Sequence, residues 1–162
     1  LIREFADKVS WINIGEYQKL SESFIREFSD KLYLPNIAKY HHTLSESFIR
    51  EFADKLDWIY ISQYQKLSES MIFEFQDKVY WPHISIYQTL SESFIRKFIN
   101  KVNWNLICEF QCLSESFLRK YKHKVNLKSL LYNNHKLNFQ EFIVENEDYY
   151  LKINPYSFYL IK

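Results

Sequence analysis

Apolar residues return along this chain in a fixed order, once every 23 or 24 positions. The phrase Leu-Ser-Glu-Ser opens at Leu20, Leu44, Leu67, Leu90 and Leu113, giving spacings of 24, 23, 23 and 23 residues. In the copy that starts at Leu20, residues Phe24, Ile25, Phe28 and Leu32 fall on one helical face, with Arg26, Glu27, Asp30 and Lys31 on the other. Ser21 is the expected N-cap, because its hydroxyl can accept a backbone N–H of the first turn. Leu20 and Ile25 have the spacing of a hydrophobic staple, and Glu22 sits where the helix dipole favours an anion. Arg26–Asp30 and Glu27–Lys31 are expected as i,i+4 ion pairs.

The second half of each unit predicts a shorter helix. Ser10, Asp57, Asn103 and Asn126 are its N-cap candidates. Tyr33 and Tyr80 hold that place in two copies and are followed two residues on by Pro35 and Pro82, which the first turn of a helix tolerates. A narrow apolar stripe follows at three-residue spacing: Trp11, Ile14, Tyr17; Leu34, Ile37, Tyr40; Trp58, Ile61, Tyr64; Trp81, Ile84, Tyr87; Trp104, Ile107, Phe110. Helices this short are marginal alone in water, whereas stacked copies bury one another's stripes. The predicted fold is therefore an all-α solenoid of about six helix-turn-helix repeats of 23–24 residues. The 19% aromatic content reads as the core ladder of this stack, since each small unit must bury much area.

Residues 1–124 form the expected array, with a truncated first repeat. The extra residue in the His41-His42-Thr43 stretch marks a surface turn, and both histidines are expected to be solvated. Beyond it the pattern decays: Leu127 replaces Trp, and Leu137–Ile143 looks like a degraded first helix. Residues 125–162 are read as a degenerate last repeat and C-terminal cap, closing the apolar end of the stack. Tyr149–Lys162 is rich in β-branched and aromatic residues broken by Asn154-Pro155, and is expected as a small β-hairpin or an extended tail. The chain opens at Leu1 in the middle of a repeat, without an initiator Met, and is expected to be a piece of a longer protein.

One glycine and three prolines are too few for a β-sandwich, collagen or flexible linkers. Cys108 and Cys112 make no disulfide framework and suit a reducing compartment. No run of 18 apolar residues occurs, so no transmembrane helix is expected. The formal charge of +1 is unevenly spread: nine Lys and Arg stand against two acids from Ile95 to Lys136, but ten against thirteen before Leu90. Arg96, Lys97, Lys101, Arg119, Lys120, Lys122, Lys124 and Lys128 are therefore candidate nucleic-acid-binding residues, able to neutralise phosphate.

The unit Leu-Ser-Glu-Ser-Phe-Ile-Arg-Glu-Phe-x-Asp-Lys-Val, followed by residues such as Asp57-Trp58-x-x-Ile61-Ser62-x-Tyr64-Gln65, resembles the short tandem repeats of predicted proteins in the giant DNA viruses of amoebae. The likeness covers about residues 1–127. It implies a viral protein in an intracellular, cytoplasmic setting, and carries over no catalytic residue.

Most polar residues repeat with the unit, as scaffold does. The Glu22, Glu46, Glu69, Glu92, Glu115 series is accounted for by the helix dipole. A phosphate loop needs more than Gly15, and Cys108 with Cys112 lacks further ligands at zinc spacing. The chain is read as non-enzymatic, with no catalytic residue, metal or other cofactor. What varies between copies lies at outer positions of the second helix and in the turn before it: Asn13, Glu16, Asn36, Lys39, Ile59, Tyr60, Gln63, His83, Ile86, Ile99, Asn105 and Glu109. A constant frame carrying a variable strip is how solenoids present a binding surface; drift at unconstrained positions gives the same pattern. The apolar Ile59, Tyr60, Ile86 and Ile99 favour a protein partner, with a host protein as the expected class. Nucleic-acid binding through the basic third and self-association as a structural (virion) component are the alternatives, and no membrane is expected among the partners.

Overall fold

A computed structural model describes residues 2–41 and 43–132. The expected cap beyond Tyr132, the hairpin over Tyr149–Lys162, and His42, His135 and Lys136 lie outside the described residues. The described residues are all-α, with eleven α-helices and no strand: α1 (Trp11–Tyr17), α2 (Glu22–Glu27), α3 (Ile37–Tyr40), α4 (Glu46–Glu51), α5 (Trp58–Tyr64), α6 (Glu69–Glu74), α7 (Trp81–Tyr87), α8 (Glu92–Lys97), α9 (Trp104–Phe110), α10 (Glu115–Lys120) and α11 (Leu127–Leu131). Even-numbered helices are the first halves of the repeats and odd-numbered ones the second halves. A 3-10 turn at Leu34–Asn36, with Pro35 in its first turn, leads into α3, and another at Arg3–Phe5 stands in the truncated first repeat. None of the described helices is long and apolar enough to cross a membrane.

The chain divides into two compact units, Leu1–Tyr80 and Trp81–Lys162. In the first, α3 packs between α1 and α5; in the second, α9 packs between α7 and α11. Second helices thus stack on second helices, the arrangement of an all-α repeat solenoid. Ile25, Phe48, Ile49, Ile61 and Ile72 are fully enclosed in the first unit, as are Ile84, Ile95, Ile107, Leu113 and Leu118 in the second. At roughly 2 kcal/mol for each such side chain, burial between repeats offsets what no single short helix could.

Every first helix from α2 to α10 is capped as its serine requires: Ser21, Ser45, Ser68, Ser91 and Ser114 accept the N–H three residues on. Ser10, Asp57, Asn103 and Asn126 cap the second helices in the same way. The relative lengths are the reverse of the sequence expectation. The first helices stop after six residues and full-length second helices run to seven. Phe28, with φ −114° and ψ 27°, ends α2, and residues 28–32 continue as tight turns in which Lys31 and Leu32 both donate to the Phe28 carbonyl. No glycine or proline marks this stop. A carbonyl freed at the helix end needs a donor, and the indole of the following tryptophan supplies it: Trp11 to Ala6, Trp58 to Ala53 and Trp104 to Ile99, at 2.8–3.0 Å.

The early helix end also overturns the expected i,i+4 pairs. Asp30 and Lys31 stand beyond α2, so Arg26 pairs instead with Glu22 at 3.5 Å and with Glu51 of the next repeat at 2.7 Å. Lys31 reaches back to Asp7 at 3.5 Å.

Candidate interaction surfaces

The junctions between repeats are built from residues that recur. Gln65 closes α5, and its side chain lies within the preceding repeat's exit loop. Its Oε1 accepts the Leu44 N–H at 2.9 Å, while its Nε2 donates to the carbonyls of Ala38 and His41 at 2.9 and 2.7 Å. Gln111 repeats the set on Leu90, Ser85 and Gln88. At 100° per residue, this eighth position lies only about 20° from the tryptophan, in the middle of the buried face. The position was legible as buried, and the reading of the stripe overlooked it.

His41 takes the glutamine's place in the second repeat. It is buried rather than solvated, and its Nε2 lies 3.0 Å from the Gly15 carbonyl. One ring nitrogen replaces a two-ended amide, so two of the three bonds of the later junctions have no counterpart from His41 here. That junction holds an open depression of about 650 Å3 between residues 16–22 and 40–44.

The glutamates also do more than complement a dipole. Glu22 accepts both the N–H and the hydroxyl of Ser45, the next repeat's cap, at 2.6 and 2.9 Å; Glu46 accepts the Ser68 N–H at 2.8 Å and Glu92 that of Ser114 at 2.5 Å. The Ser68 bonds hold the Glu46 carboxyl below its ordinary range, against a smaller opposing effect of burial. A carboxylate thus binds an N-cap in trans, which i,i+4 reasoning within one repeat cannot reveal. At the fifth position of the second helix, Ser62 and Ser85 donate to their own Trp58 and Trp81 carbonyls and accept the N–H of Tyr80 and Asn103. Cys108 holds the same place in α9. Burial pushes its thiol up to about 11, partly opposed by the Asn126 N–H.

Outside this frame lies the variable strip. In the first unit Asn13 and Ile59 are exposed, and Glu16, Asn36, Lys39, Tyr60 and Gln63 are half-buried; in the second, Asn105 is exposed, and His83, Ile86, Ile99 and Glu109 are half-buried. Ile99 stands in the turn after α8, apart from the second helices. The strip is bracketed by apolar residues that the sequence reading placed in the core or passed over: Ile12, Tyr17, Tyr87 and Phe110 are 69%, 73%, 50% and 38% exposed. The tyrosine position lies about 120° from the tryptophan on a helix, outside the buried arc, so three-residue spacing overstated the stripe. Neighbouring repeats meet on this side. Lys39 Nζ sits 5.9 Å from the Tyr60 ring centre, whose neighbour Tyr64 is 6.2 Å away, and His83 stands edge-on to Tyr87 at 5.5 Å. A cleft between the first and second repeats, with Ile12, Glu16, Asn36 and Tyr40 in its wall, holds about 30 Å3, room for one or two waters.

All eight candidate cations lie in the second unit. Arg96, Lys97, Lys101, Arg119, Lys120, Lys122 and Lys128 are exposed and Lys124 is half-buried. Arg119 pairs with Glu115 at 2.5 Å, and the ammonium groups of Lys101 and Lys120 lie 5.9 and 5.7 Å from the ring centres of Trp81 and Tyr121. Among the described residues no three His, Cys, Asp or Glu side chains cluster as metal ligands would, and every buried side-chain nitrogen or oxygen has a hydrogen-bond partner. Cys108 is buried and Cys112 exposed, each as a free thiol. No protein-family model matches the chain, and no curated protein or solved structure shows significant similarity to it.

Proposed function

We propose that this chain is a non-enzymatic repeat scaffold, and that the outer side of its second helices binds a protein partner. The reading rests on one observation above others. Ile12, Tyr17, Ile59, Tyr87 and Phe110 are exposed on helices whose inner sides are fixed by recurring glutamine and tryptophan bonds. Aromatic and aliphatic side chains on a rigid frame bury area on binding with little loss of conformational freedom. Variation from copy to copy at Asn13, Asn36, Tyr60, His83 and Asn105 supplies selectivity. The likeness of the repeat to those of giant DNA viruses makes a host protein the proposed class of partner and the infected cell's interior the proposed setting.

The test is a pull-down from host-cell lysate after nuclease treatment. A discrete protein should survive the nuclease and be lost, at least tenfold, from an Ile59→Asp, Tyr87→Asp variant that retains its helical circular dichroism. Loss of all bound material on nuclease treatment would overturn the scaffold reading.

A further inference from the structure

In the first unit the first helices and their turns carry two columns of alternating charge. Arg50 Nε lies 2.8 Å from Glu74, 24 residues on, and Asp54 is paired with Lys78, also 24 residues on. The second unit has the same inter-repeat register. Its Glu92–Ser114, Gln111–Leu90 and Ser85–Asn103 bonds match Glu46–Ser68, Gln65–Leu44 and Ser62–Tyr80 in both partner type and sequence offset. The register that sets Arg50 against a glutamate sets Arg96 against Lys120. In the other column Asn100 and His123 hold the places of Asp54 and Asp77, so Lys124 meets an amide where Lys78 meets a carboxylate. Both columns have lost their carboxylates in the same two repeats.

We propose that this face of the second unit, carrying Arg96, Lys97, Lys101, Arg119, Lys120 and Lys124, binds the phosphodiester backbone of a nucleic-acid strand without reading its sequence. Like charges stacked repeat on repeat are costly until an anion bridges them. Packed helix layers are roughly 8–10 Å apart, so the cations recur regularly, which suits a polymer of evenly spaced charges better than an acidic protein surface. Guanidinium groups at Arg96 and Arg119 match phosphate geometry. This face lies on the first helices, and the proposal is independent of the protein-binding strip on the second.

The experiment is fluorescence anisotropy of a labelled 20-nucleotide oligothymidylate with the whole chain, over a series of potassium chloride concentrations. Binding should weaken steeply with salt, and unlabelled polyglutamate of equal charge should compete at least tenfold less well than unlabelled oligonucleotide. The Lys97→Glu, Lys120→Glu variant restores the glutamates found at Glu51 and Glu74, so the fold accommodates it. It should lose affinity at least tenfold and lower the salt slope by about 1.4, at ~0.7 per phosphate contact on a single strand. A Lys120→Gln variant, which adds no negative charge, should lose affinity to a smaller degree. The Ile59→Asp, Tyr87→Asp variant should bind as the parent does. Undetectable binding at low salt, unchanged affinity in both lysine variants, or equal competition by polyglutamate would each overturn the proposal.

Discussion

Cys108 occupies the place that Ser62 and Ser85 hold in the two preceding copies, and its enclosed thiol ionises only near about 11, against 9.0 for a free one. Between those values the unfolded chain has released a proton that the folded chain keeps, so stability is complete below pH 9 and falls as pH rises toward 11. Two pH units correspond to roughly 2–3 kcal/mol. Replacement with the serine of the neighbouring copies removes the ionisation and keeps the small polar contact. Urea denaturation at pH 7 and pH 10.5 should therefore show a larger loss for the parent than for Cys108→Ser, by about 1–2 kcal/mol; equal losses would mean that the thiol is not enclosed. In the native state a thiol reagent should modify Cys112 and spare Cys108.

At the scale of the element, the glutamine that ends a second helix is a joint rather than a surface residue. Gln65→Ala would leave the Leu44 N–H and the Ala38 and His41 carbonyls unpartnered in a dry site, at a cost of about 3 kcal/mol. Chemical denaturation reads this directly, and a loss below about 1 kcal/mol would show that water replaces the amide. The converse change tests the same geometry. His41→Gln offers the Leu20 N–H and the Gln18 carbonyl the partners that Leu90 and Gln88 have in the second unit, and should stabilise the chain by about 1 kcal/mol. The one-residue insertion follows His41, so it does not disturb the loop that this side chain reaches back to.

At the scale of the molecule, the two units hold charge differently. The first carries a ladder of Glu22–Arg26–Glu51, Glu46–Arg50–Glu74 and Asp54–Lys78 pairs; in the second, the described residues after Trp81 carry eight Lys and Arg and three acids. Exposed pairs are each worth little and are screened by salt, while repulsion is screened as well. Raising sodium chloride from 50 to 500 mM should slow amide hydrogen exchange in α8–α10 and leave that in α4–α6 unchanged or slightly faster. A shift of the same sign in both units would mean that the carboxylate columns do not govern local stability.

The sequence by itself determined the repeat, its helical content and its caps. These depend on interactions within three or four residues, so Ser21, Asp57 and Asn126 could be assigned from spacing alone, and the apolar period sufficed to place Ile25, Ile49, Ile61 and Ile107 inside. Tertiary structure decided what crosses from one repeat to the next. Glu22 bonds Ser45, Arg26 pairs with Glu51, and Gln65 enters a loop more than twenty residues away; no local pattern encodes such distances until the stacking register is known. The same register turned His41 inward, and the helical angle of the seventh position turned Tyr17 and Tyr87 outward. The basic residues of the second unit were legible as a composition, and only stacking revealed that Lys97 and Lys120 stand where carboxylates bridge repeats in the first.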